Sequence, residues 1–275
     1  MPARYCATAT GPRALSPRAD TGVRPYREVC EIRYARGMRD PNEKPAMIDQ
    51  PLVSVIVRTY DRPAYLPQCL ASLNAQDYPN CEVVIVWNGG KYLEVEGASV
   101  RNCIIPRSPL GAAMNAGIAS SSGECLYVMD DDDLLLADAI SLSVETMRST
   151  GADLVFSDLI KFEETKGGSG LFLAQPQTFE ECLRSKTIPH GSSMYRRPFL
   201  AAHSLAYSED YSNAEDYDFL LAFLACRPKL AKLRKPVYLY RLHPGQQRNT
   251  LSEGQNARRI RSKWESRLVD QTPKV

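Results

Sequence analysis

Four consecutive aspartates, Asp130–Asp133, end the apolar run "CLYVM" (125–129), and the chain turns apolar again at "LLL". Neighbouring carboxylates repel by about 2–3 kcal/mol per pair at about 6–7 Å with an effective dielectric near 20. A block of acids is most often a solvated loop. Fused to the end of a buried strand, it suits a cation better than bare solvent. Carboxylates are hard oxygen ligands for Mg²⁺ or Mn²⁺, and such a metal neutralises a diphosphate and stabilises it as a leaving group. In an extended segment side chains at i and i+2 share a face. Asp130 and Asp132 are therefore expected on one face, Asp131 and Asp133 on the other. A second acidic pair, Glu215 and Asp216, opens the apolar pattern "AEDYDFLLAFLA" (214–225). Acids also suit the first turn of a helix, where they meet the positive end of its dipole.

The elements that position these groups are legible as alternating strands and helices. "LVSVIVR" (52–58), "CEVVIVW" (81–87), "NCIIP" (102–106), "CLYVM" (125–129) and "ADLVF" (152–156) read as strands, several buried on both faces. Between them, 64–76 places Leu66, Cys69, Leu70 and Leu73 at helical spacing, 110–123 reads as a small-residue helix ending at Gly123, and 135–151 as a helix with a Gly stop. Strand–helix alternation at this spacing predicts an α/β fold, a doubly wound, mostly parallel Rossmann-like sheet. Ligands of such sheets bind at the carboxyl ends of the strands, which is where the aspartates fall. The phosphate loops G-x-x-x-x-G-K-[ST] and G-x-G-x-x-G are both absent, so a metal must hold the phosphates.

Across 275 residues the sequence divides into four parts. Residues 1–50 read as a disordered leader or upstream extension, with Met47 a natural start. Residues 51–156 form the sheet half, 157–250 a smaller, irregular half, and 251–275 a basic amphipathic helix. In that helix Ile260, Trp264 and Leu268 fall on one stripe flanked by Arg and Lys. It could pack on the main domain, lie on an anionic membrane surface or make a dimer contact. Net charge is +2 with scattered basic residues, which gives no polyanion preference, and there is no nucleic-acid motif. No apolar run approaches the roughly 18–20 residues needed to span a bilayer. The eight cysteines form no C-x-x-C pair; Cys69, Cys125 and Cys226 sit in apolar runs and read as reduced core residues. A cytoplasmic protein, peripheral to the inner face of a membrane if the last helix lies there, is the expectation.

Six segments in order then resemble one family. "VSVIVRTYDRP", "DYPNCEVVIVWNGG", "GAAMNAGIASSSGECLYVMDDDDLLL", "SSMYRRPFL", "AEDYDFLLAFL" and "YLYRLHPGQQRNT" are similar to the successive motifs of family 2 glycosyltransferases, which have the GT-A fold. The resemblance covers about 51–250. It implies a metal-dependent, inverting transfer from a nucleotide-sugar to a hydroxyl of a glycan or lipid-linked saccharide. It assigns Thr59, Tyr60, Asp61, Asn88, Asp130 and Asp131 to the nucleotide, with Tyr60 on the base. Asp132 and His243 fall to the metal, Asp216 to the catalytic base, and Glu215 to the acceptor or to orienting the helix. Asp133 is left to cap the helix beginning near Leu135.

Departures narrow these expectations. The family's "DDGS" stands here as "WNGG", so Asn88 replaces an acid. Its amide carbonyl can accept from uracil N3–H but serves guanine less well, which favours a UDP-sugar. Met114 replaces an arginine, so that Arg101, Arg107 or no residue at all takes over a contact to phosphate. Two other readings stay open: a sugar-nucleotide nucleotidyltransferase, disfavoured by the glycine-free "RTYDRPAY", and a non-catalytic nucleotide-binding protein.

Overall fold

The protein is described by a computed structural model over residues 50–60, 64–95, 97, 99–163, 167–244, 246 and 251–270, with side chains of the last segment for 254–267. The expected leader, apart from Gln50, and Asp61 lie outside the described residues. Residues 49–275 form one compact unit.

Its frame is a seven-stranded sheet. In spatial order the strands are β10 (Leu230–Lys232), β6 (Leu154–Phe156), β9 (Ser193–Arg196), β4 (Cys125–Asp130), β1 (Val53–Thr59), β2 (Cys81–Asn88) and β3 (Val100–Ile105). All neighbours pair in parallel except β9, which runs antiparallel to both β4 and β6. The mostly parallel expectation holds, and the one reversed strand comes from the irregular half. Val53, Val55 and Val57 point to one face, against Leu66, Cys69 and Leu73 of α1 (Leu66–Asn74) and Ile140, Val144 and Met147 of α3 (Ala139–Thr150). Ile56, Val84, Val86, Leu126 and Val128 point to the other, against α2 (Leu110–Ala119) and α6 (Glu215–Ala225). Strands covered on both faces cannot alternate polar with apolar, which is why they read as continuous hydrophobic runs.

A second sheet, β5 (Leu134–Leu135), β11 (Tyr238–Arg241), β7 (Leu159–Glu163) and β8 (Gly168–Phe172), is built largely from the irregular half. The helix expected from 135 starts instead at Ala139, because Leu134 and Leu135 pair with β11. The Gly stop is confirmed: Gly151 is left-handed at φ 66°, a conformation without cost for glycine. The helix expected to reach Gly123 ends at Ala119. Gly123 serves a different need, since a Cβ there would lie 2.6 Å from the Ser54 backbone nitrogen. α7 (Leu251–Asp270) buries Ile260 and Trp264 in the second core. Trp264 Nε1 and Lys263 Nζ donate to Asp218 at 2.8 and 2.9 Å. Packing on the domain is thus the use the fold makes of this stripe, and Arg258, Arg259, Arg261 and Arg267 face outward. Among the described residues the cysteines are free; Cys69 and Cys125 are core residues, while Cys226 is only half-buried.

Candidate active site

Register decides what meets at the sheet edge. β1 and β4 run in parallel with Arg58 opposite Asp130, and β1 and β2 with Thr59 opposite Trp87. The carboxyl ends of three strands therefore finish together and bring Arg58, Thr59, Asn88 and Asp130 to one edge.

The four aspartates are not a continued strand. β4 ends at Asp130, and the Asp133 N–H turns back to the Asp130 carbonyl at 3.4 Å. The expected two-face alternation accordingly fails. One oxygen each from Asp130, Asp132 and Asp133 lies within 4.8 Å of the others, while Asp131 is set apart and accepts from Thr59 Oγ1 at 2.5 Å. Asp133 does not cap a helix. Its carboxylate accepts from Tyr238 Oη at 2.6 Å and from the Arg241 N–H at 2.8 Å, so it ties the aspartate turn to β11. Burial, then Asp132 and Asp130, push the Asp133 carboxyl well above the usual range, against those two hydrogen bonds.

Asp132 meets His243 Nε2 at 2.9 Å, and the imidazole packs 4.6 Å from the Tyr65 ring. Asp130, Asp132 and Asp133 are the carboxylates close enough to share a divalent cation, and His243 lies beside Asp132. Carboxylate oxygens and one imidazole fit Mn²⁺ or Mg²⁺. The crowding of three carboxylates is the observation that supports the fit, since a cation would relieve it.

Arg58 organises the acids. It donates to Asp130 Oδ1 and to Glu215 Oε1, each at 2.7 Å. Burial lowers its pKa, but the two carboxylates outweigh that and hold it above its ordinary value. Glu215 is 5% exposed; burial raises its pKa and Arg58 opposes the rise. Glu215 therefore orients the start of α6 by tying it to β1 and β4.

Asp216 follows at that helix start and forms an ion pair with Lys186. Burial pushes its carboxyl up, yet Lys186, His190 and the Tyr217 N–H together bring it down to about 2. His190 is lodged against Tyr207 Oη at 3.1 Å and Tyr195 Oη at 3.5 Å, and burial lowers it to about 4. A cavity of about 280 Å³ holds Asp130, Asp132, Glu215, Asp216 and His190 in one lining.

A smaller recess beside it is lined by Tyr60, Asn88, Arg107, Asp130 and Asp131. Tyr60 is 42% exposed, and the Arg107 guanidinium lies 3.7 Å over its ring. Asn88 is fully buried and spends its amide on Ser108, accepting from the backbone N–H at 2.9 Å and donating to the carbonyl at 3.0 Å. Its oxygen keeps one further lone pair. Of the two candidate arginines, Arg107 reaches this recess, whereas Arg101 pairs with Glu82 at 3.3 Å. Met114 is a core residue.

The structure thus gathers Thr59, Tyr60, Asn88, Asp130, Asp131, Asp132, Glu215, Asp216 and His243 at one edge. Sequence reasoning missed Arg58, Lys186, His190, Tyr238 and Arg241. Arg58 carried a signal, a lone charge near the end of an apolar strand. Lys186 and His190 carried none, because nothing in their spacing ties them to Asp216.

A doubly wound sheet with clustered aspartates on the carboxyl end of a central strand, and a separate carboxylate opposite them, defines a GT-A-type α/β protein. The chain belongs to glycosyl transferase family 2, whose family model matches residues 54–202. Among curated proteins it is similar to the uncharacterized glycosyltransferase YwdF of Bacillus subtilis (strain 168), 29% identical over 186 residues, 62% of this chain and 66% of that one. It is also similar to the putative glycosyltransferase EpsH of the same strain, 25% identical over 219 residues, 71% of this chain and 62% of that one. The chain therefore matches just under two thirds of the length of these relatives. Among solved structures, S. aureus TarS 1-349 in complex with UDP superposes with a TM-score of 0.60 at 17% identity, covering 77% of this chain and 64% of that one. The UDP-GlcNAc complex gives 0.59 at 19% identity, with 71% and 60% covered. At these identities the likeness is one of fold.

Proposed function

We propose that this protein transfers a sugar, with inversion, from a nucleoside diphosphate sugar to a hydroxyl of a glycan or lipid-linked saccharide. The observation that carries this is a single cavity whose lining includes Asp130 and Asp132 as well as Asp216. In-line displacement needs both: a carboxylate at the acceptor and a charge-neutralising site at the departing diphosphate.

On this reading Asp216 takes the proton of the acceptor hydroxyl as its oxygen bonds to the anomeric carbon and the bond to the diphosphate breaks. Asp132 and His243, with Asp130 beside them, would hold Mg²⁺ or Mn²⁺, which would supply charge neutralisation for the leaving diphosphate. Asp131 and Thr59 shape the ribose side, and Asp61 would line the same pocket. Tyr60 and Arg107 flank the base, with Asn88 holding the Ser108 loop beside them. The fold's likeness to TarS, crystallised with UDP and UDP-GlcNAc, favours a uridine nucleotide. No helix among the described residues is long and apolar enough to cross a membrane. Contact with an anionic surface would run through the outward arginines of α7, since Ile260 and Trp264 are buried.

The test is a thermal-shift screen of UDP-, GDP-, dTDP- and CMP-sugars with and without Mn²⁺, repeated on Asp132→Asn. UDP-sugars should stabilise the protein only with Mn²⁺, and the substitution should abolish the effect. An unchanged, Mn²⁺-dependent UDP affinity in Asp132→Asn would remove the metal assignment.

A further inference from the structure

The cavity at Asp216 continues outward into a second hollow of about 180 Å³. The two share Leu159, Pro189 and Tyr240, so they adjoin. Two side chains charge this extension, Lys161 from β7 and Lys186 from the segment between α4 (Phe179–Arg184) and β9. Its other lining residues, Phe172 and Ile188 among them, carry no acid.

The two lysines have different partners. Lys161 Nζ lies 5.0 Å over the Phe172 ring and meets no carboxylate among the described residues. Lys186 meets one, and it is the Asp216 carboxylate itself. An acceptor hydroxyl that reaches Asp216 from the cavity meets a carboxylate already paired with the Lys186 ammonium. Pulling that ammonium from its carboxylate in a partly enclosed site is costly unless another anion receives it. With no acid in the extension, the chain itself offers none there.

Resting on the proposed transfer reaction, we infer that the acceptor brings that anion: it is a saccharide bearing a phosphate or carboxylate, bound in the extension by Lys186 and Lys161 while its hydroxyl meets Asp216. Lys186 then has two stations. Without acceptor it neutralises the base. With acceptor it turns to the acceptor's anion, and the carboxylate is released to take the hydroxyl proton. A neutral acceptor gives Lys186 no second station and leaves the base engaged.

The experiment uses the full chain with UDP and Mn²⁺ on an array of matched glycans, neutral, carboxylated and phosphorylated, with UDP affinity measured separately by calorimetry. The acidic glycans should be retained at least tenfold better than their neutral partners, and raised salt should weaken that retention. Carboxylated and phosphorylated members tell which anion is preferred. Lys161→Met/Lys186→Met should lose the preference without losing UDP affinity, and Lys186→Arg should keep it. Equal retention of neutral glycans, an acidic preference that survives the double substitution, or no retained acidic glycan while UDP binds would each overturn the inference and leave the donor reading standing. Failure to bind UDP removes the reading on which it rests, and the inference with it.

Discussion

Asp216, the proposed base, rests in an unusual state. A carboxylate held near 2 is ionised at every working pH, but it is weakly basic until its cation moves away. Removing the ammonium leaves burial as the main influence, and burial raises a carboxyl pKa. The acid limb of the pH dependence of kcat/KM should therefore move upward in Lys186→Met; a limb that stays in place would mean that Lys186 does not set the state of the base. Asp216→Asn keeps the shape and removes the proton acceptor. It should retain UDP affinity and lower kcat by about 10²-fold or more, measured as sugar transfer at saturating donor. Near-normal turnover would take the base role from Asp216.

At the scale of elements, the site depends on a few ties between chain segments that are far apart in sequence. Arg58 joins β1 to the end of β4 and to the start of α6 through Asp130 and Glu215. Asp133 joins the aspartate turn to β11 through Tyr238 and Arg241. Behind Tyr238 the chain comes so close that a Cβ at Gly191 would lie 2.4 Å from the tyrosine oxygen, so only glycine leaves the Tyr238–Asp133 bond undisturbed. Arg58→Met should cost about 3–5 kcal/mol, because it leaves a buried Glu215 without its cation. Arg58→Met/Glu215→Met should recover much of that loss. Urea denaturation measures both, and equal stabilities for wild type and Arg58→Met would show that the tie is not structural. The alternation expected along the aspartates failed at this same scale. It assumed an extended strand, whereas the chain turns at Asp130 and delivers Asp133 to the same side as Asp130 and Asp132.

For the whole molecule, the pKa shifts give acid sensitivity a direction. His190 titrates near 4 in the folded protein and near 6.5 when unfolded. As pH falls between those values the unfolded chain takes up the proton first, so the folded state loses stability across that window. Asp216 acts lower: its contribution is present above about 3.8 and is lost as pH falls toward 2. Chemical denaturation at pH 7 and pH 4.5 should show a smaller loss for His190→Gln than for the wild type; equal losses would mean that His190 is not the sensitive group.

Much of this protein is written locally. Both-face burial makes β1, β2 and β4 into apolar runs, helical spacing marks α1, and Gly151 marks a helix end, so the sheet and its carboxyl edge follow from residue order alone. The aspartates and the Glu215–Asp216 pair were visible for the same reason, as charges that break apolar patterns. What the tertiary structure alone decided is who partners whom. Asp133 binds β11 instead of a helix N-terminus because β5 pairs there before the helix begins. Asn88 gives its amide to Ser108 because β2 ends beside that loop. Lys186 pairs with Asp216 because the segment before β9 crosses the start of α6. Each of these is a contact between segments distant along the chain, set by the packing of whole elements, and no local pattern of residues encodes it.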